Sequence, residues 1–145
     1  MFQHILIPTD GSELSEAAVQ KGIQLARSLN AKVTGFHVIL PFHVFTRKTE
    51  MLEGTKEQYE RQSGMQAEKF LAVIKKAAEK AGVSCDTEYG MSDHPYEMII
   101  KAAHNNGCDL IVMASHGRRG VQGVLLGSET QKVLTHTQTP VLVVR

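Results

Sequence analysis

Five short apolar runs rich in branched residues, each separated from the next by a stretch with helical spacing, restrict this chain more than any other feature. The runs are HILIP (His4 to Pro8), KVTGFHVI (Lys32 to Ile39), VSCDTEY (Val83 to Tyr89), LIVMA (Leu110 to Ala114) and VLVV (Val141 to Val144). Their length and composition predict strands. The first, fourth and fifth are apolar almost throughout, as parallel strands covered on both faces are. VSCDTEY alternates instead, as an edge strand does. Strands alternating with helices imply right-handed βαβ units. The expected fold is a three-layer α/β/α sandwich around a five-stranded parallel sheet of order 3-2-1-4-5.

The intervening segments carry helical stripes. Leu14, Ala18, Gly22, Leu25 and Leu29 repeat at spacings of three and four, which predicts a first helix with Ser12 as its N-cap and Glu13 and Glu16 in its first turn. Phe70, Ile74, Ala78 and Ala81 mark a second helix that Gly82 ends. Tyr96, Ile99, Ile100 and Ala103 mark a third, opened by SDHP, and a short fourth follows Ser128. The charged, weakly periodic segment Phe42 to Gly64 reads as a flexible loop or a frayed helix entrance.

A chain of 145 residues suits one domain, 1–145, with one site. Its charged content of 21% and net charge of +1 give nucleic acid binding no support. No apolar stretch approaches the roughly 20 residues that span a bilayer, and no secretory leader pattern opens the chain, so no membrane association and a cytoplasmic location are expected. Cys85 and Cys108 have no disulfide or zinc-like spacing and read as small buried hydrophobes.

In open α/β sheets ligands bind beyond the carboxyl ends of the strands where strand order reverses. With the expected order, that crevice lies between the first and fourth strands. Two segments meet there: PTDGS after the first, and ASHGRRGVQGVLLGSETQ (Ala114 to Gln131) after the fourth. Glycines feeding a helix start suit an anion, because the first amides of a helix lack intrahelical acceptors. The same glycines are also consistent with mere turns, Ser128 and Gln131 having the spacing of a capping box. Asp10 can hydrogen-bond a ribose or an adenine amino group or help to hold a metal that bridges phosphates, and it can equally serve an Asx-turn. Neither GxxxxGK[ST] nor GxGxxG occurs, which argues against a Walker ATPase and a dinucleotide dehydrogenase.

From ILIPTDGSELSEAA through GFHV and DLIVMASHGRRG to LLGSETQKVLTHTQTPVLVVR, the chain resembles the universal stress protein family. The likeness leaves out only Phe42 to Gly64 and implies the adenine nucleotide alpha hydrolase-like version of the sandwich. Nucleotide-binding members carry G-x2-G-x9-G-[S/T]. Gly117, Gly127 and Ser128 match that pattern, while Ala114 stands at its first glycine. If that position needs positive φ, alanine costs about 1 kcal/mol there.

The resemblance implies ATP or another adenine nucleotide as ligand, with Mg2+ as an optional companion. Asp10 and the backbone of Pro8 and Thr9 would line the nucleoside pocket, and the backbone of Val38 would read the adenine edge. Met113 and Ala114 would border the ribose. Gly117, Arg118, Gly127, Ser128 and the N–H of Glu129 would hold the phosphates.

It also implies a homodimer joined through the last strand, Val141 to Val144; the alternative is an edge protected within a monomer by Pro140 and a covering loop. The function implied is a dimeric stress-response regulatory module in which any ATP hydrolysis is slow. Two alternatives remain: an interaction module without nucleotide, and a nucleotide hydrolase or adenylate-transferring enzyme with Asp10 and His116 as its candidate groups. Arg119 reads as a solvated loop residue. Ser115 and His116, being adjacent, are not expected to face each other productively, and no residue is assigned as catalytic. The remaining histidines read as packing or surface residues.

Overall fold

The computed structural model describes residues 1–42, 53–117 and 126–145. Strands β1 (His4–Pro8), β2 (Lys32–Ile39), β3 (Cys85–Met91), β4 (Leu110–Ala114) and β5 (Val141–Val144) pair in parallel in the order β3-β2-β1-β4-β5. Helices α1 (Glu13–Leu29), α2 (Glu53–Ala81), α3 (Pro95–Asn105) and α4 (Ser128–His136) cover the sheet.

Side chains alternate along each strand, so the sheet feeds two cores. Ile5, Ile7, Val33 and Val112 pack with Val19 and Ile23 of α1 and with Leu71 and Ile74 of α2. Leu6, Phe36, Ile111 and Met113 face the other way, toward Ile99 and Ala103 of α3 and Val133 of α4. The two innermost strands meeting at the reversal of strand order, β1 and β4, are buried at every residue.

Several expectations need correcting. The buried face of α1 is Ser15, Ala18, Val19, Gly22, Ile23 and Ala26, while Leu14, Leu25 and Leu29 flank it. The stripe drawn from leucines missed Ser15, which is buried because the Thr9 hydroxyl satisfies it at 2.7 Å. The third strand starts two residues late: the Val83 amide donates to Ala78 O at 2.8 Å and, after Gly82 at φ +71, closes the end of α2. The segment Phe42 to Gly64 is helical from Glu53 onward, and Tyr59 Oη donates to Leu40 O at 2.6 Å. Residues 43–52 of that segment lie outside the described residues. The fifth strand is the edge strand that the order 3-2-1-4-5 implies, but it is only partly covered, Leu142 being 43% exposed. Cys108 is buried, but Cys85 on the opposite edge only partly so. No helix among the described residues is long and apolar enough to cross a membrane.

Candidate functional site

The turn after β1 is held by its own short polar side chains. Thr9 N–H donates to Phe36 O at 2.8 Å, the last rung between β1 and β2. The Thr9 hydroxyl accepts from Gly11 N–H at 3.1 Å, and Ser15 Oγ accepts from Asp10 N–H at 3.3 Å. Asp10 Oδ1 accepts from Ser12 N–H at 2.9 Å, so this oxygen does make the Asx-turn. Ser12 in turn caps α1, its hydroxyl accepting from Ser15 N–H at 3.2 Å. Gly11 sits at φ +80 against the Phe70 ring of α2, which leaves no room for a β-carbon.

The second segment approaches the same turn. Gly117 lies against Asp10 so closely that a β-carbon would overlap Asp10 Oδ2. Gly127 N–H donates to Ser115 O at 2.6 Å, and a β-carbon on Gly127 would stand 3.0 Å from His116 Cα. The capping box predicted for Ser128 and Gln131 is absent: Gly127 is the N-cap, Ser128 is the first helical residue, and Gln131 Nε2 donates to Leu126 O at 3.0 Å. A glycine cap leaves the first amides of α4, those of Ser128 and Glu129 included, without a side-chain acceptor from the cap. The Glu129 carboxylate turns away, accepting from Tyr96 N–H at 2.9 Å and so capping α3.

Ala114 is not at positive φ; among the described residues only Asn30 is a non-glycine residue there. Ala114 continues β4, opposite Val144, and its carbonyl accepts from Thr130 Oγ1 at 2.9 Å. The backbone penalty expected for alanine therefore does not arise. Met113 is buried in the core beneath it. Ser115 and His116 do face each other after all, with Oγ and Nδ1 3.2 Å apart. Ser115 is only 2% exposed. Arg118 and Arg119 lie outside the described residues.

Pro8, Thr9, Val38, Met113 and Ala114 all stand at the carboxyl ends of β1, β2 and β4. Even-numbered residues of β2 direct their backbone toward β1: Lys32 N–H donates to Gln3 O, and Phe36 O accepts from Thr9 N–H. Val38 continues that alternation past Pro8, where β1 has ended, so its N–H and C=O point across the mouth of the crevice. Sequence reasoning left His37 among packing and surface residues, yet its Nδ1 lies 2.7 Å from Thr9 O. A polar ring within the apolar run Phe36 to Ile39 was the signal available. Among the described residues no group of three or more His, Cys, Asp or Glu side chains is arranged to hold a metal.

The model of the Universal stress protein family matches residues 1–145. Universal stress protein MJ0531 of Methanocaldococcus jannaschii is 33% identical, the match covering 100% of this chain and 83% of that protein. The solved structure of protein MJ0577 from the same organism is 29% identical and superposes with a TM-score of 0.81, covering 99% of this chain and 96% of that one. A universal stress protein solved in complex with cAMP has a TM-score of 0.72 at 24% identity, covering 99% and 97% of the two chains.

Proposed function

The chain belongs to the universal stress protein family, and from that premise we propose that it binds an adenine nucleotide, ATP foremost, in the crevice between β1 and β4. The observation that carries this reading is the contact of Gly117 with Asp10, a cradle that any side chain would fill. Gly127 is packed less tightly, a β-carbon there standing 3.0 Å from His116 Cα, so a side chain at either glycine would require its neighbour to shift.

In this reading the nucleoside rests on Pro8, Thr9 and the Asp10 carboxylate, whose Oδ1 is already fixed by the turn. A ribose hydroxyl donating to that carboxylate makes a charge-assisted bond. The backbone of Val38 offers one donor and one acceptor side by side, the pattern complementary to the Watson–Crick edge of adenine. Met113 and Ala114 border the ribose. The phosphates lie toward Gly117, Gly127, Ser128 and the Glu129 amide, where the start of α4 favours an anion. Any Mg2+ would be held chiefly by the phosphate oxygens, with Asp10 the carboxylate at hand, and would offset their charge. The cAMP complex lends support, as an adenine nucleotide in a protein of this fold.

The functional output assigned here is regulatory: nucleotide occupancy alters contacts made by a homodimer joined at β5. The outer position of β5 and the exposure of Leu142 support that edge as the joint. Titrating wild type and Gly117→Val with ATP tests the site. Binding that saturates in wild type and is lost in a variant that still unfolds cooperatively is the expected result. Equal affinity in both refutes the site.

A further inference from the structure

We propose that His37 is a positioning residue for this site, holding the Thr9 carbonyl so that the Val38 amide stays available to the base; the inference rests on the nucleotide reading above. In parallel strands the hydrogen bonds step two residues at a time, and the last step runs from Thr9 N–H to Phe36 O at 2.8 Å. One further step would take Val38 N–H to Thr9 O. At that oxygen the ring of His37 intervenes instead, with Nδ1 2.7 Å away. A carbonyl oxygen only accepts, so Nδ1 carries the proton and donates.

The imidazole thus stands in for a rung of the sheet at the point where the strands part. Its own orientation is set from α2: the Phe70 ring meets it edge-on, with centroids 5.3 Å apart and planes at 71°. The same Phe70 lies against Gly11 on the next turn residue but one from Thr9. One aromatic ring therefore braces both the donor and the turn that accepts from it. Without the His37 donor, the Thr9 carbonyl is free to recruit Val38 N–H, adding a rung and withdrawing the donor that reads adenine.

The test compares wild type with His37→Phe, which keeps a ring of similar size and removes the donor, and His37→Gln, whose amide restores one. Amide hydrogen exchange at Val38 is measured without nucleotide, and ATP and GTP affinities are measured by titration. The expected result is fast Val38 exchange in wild type and protected exchange in His37→Phe. ATP affinity should fall about tenfold in His37→Phe with loss of preference over GTP, and His37→Gln should recover most of both. A residue that merely stabilised the fold would not slow exchange at Val38. Unchanged Val38 exchange in His37→Phe overturns the inference, as does ATP affinity and base preference equal to a nucleotide-binding wild type. Failure of wild type to bind ATP refutes the nucleotide reading instead, and the exchange comparison still decides the role of His37.

Discussion

Gly117 is seated on the Asp10 carboxylate, its Cα so near Oδ2 that a single added methyl would overlap the oxygen. The two residues are separated by most of the chain and joined by the adjacency of β1 and β4. Asp10 Oδ1 serves the turn, accepting from Ser12 N–H, and the nucleotide reading gives the carboxylate its second task.

Asp10→Asn and Asp10→Ala separate those tasks. Asparagine keeps an acceptor for Ser12 N–H, so its stability should stay within about 0.5 kcal/mol of wild type, while alanine should lose about 1 kcal/mol. Both should weaken ATP about tenfold or more, because both remove the charged acceptor. Urea unfolding and isothermal titration report the two effects independently. Asparagine binding as tightly as aspartate would assign Asp10 to the turn alone.

Ala114→Gly distinguishes a strained position from a relaxed one. Since Ala114 lies within β4 and lacks positive φ, glycine has no strain to relieve and should cost about 0.5–1 kcal/mol of stability. ATP affinity should change by less than about threefold. A gain well beyond that, measured by titration, would mean that the alanine methyl crowds the ligand.

Acid should weaken the fold through His4. Burial lowers its pKa below 6.5, and Lys32 adds to the shift, while the imidazole Nε2 sits 2.7 Å from Thr34 Oγ1. Because the folded value is the lower one, the unfolded chain binds more protons between the two values, and stability rises with pH across that window. The contribution is therefore intact above 6.5 and declines as pH falls below it. Urea midpoints measured from about pH 7.5 down to about pH 5.5 should fall in wild type and fall less in His4→Gln. Identical slopes would remove His4 as the cause.

Leu142→Glu tests the proposed joint. Leu142 is 43% exposed on an outer strand, so a charge there should be tolerated by the monomer fold and disfavour strand-to-strand association. Sedimentation equilibrium should give a dimer for wild type and a monomer for the variant. A monomeric wild type, or a variant that remains dimeric, contradicts the assignment of this edge.

Much of the fold was legible because β1 and β4 are apolar almost throughout, a pattern that buried central strands require. What misled was local competition. Val83 is as apolar as a strand residue but is used to close α2, and Ser128 has the chemistry of a cap although Gly127 takes that place. Periodicity also failed between Glu53 and Gly64, where the helix is polar on most sides and is carried by continuity with its buried half. At the site, Asp10 and Gly117 could be chosen from spacing and family pattern. The bond from His37 to Thr9 could not, because it depends on where two strands diverge. Likewise the contact of Ser115 with His116 depends on a backbone bend that adjacency in sequence does not predict.

The central claim is that the crevice between β1 and β4 is an adenine nucleotide site. Isothermal titration of the purified protein, stripped of bound nucleotide, with ATP and Mg2+ tests it most directly, with GTP as the control. Saturable ATP binding without comparable GTP binding is the result predicted here. No heat of binding at millimolar nucleotide, or equal affinity for ATP and GTP, would contradict it.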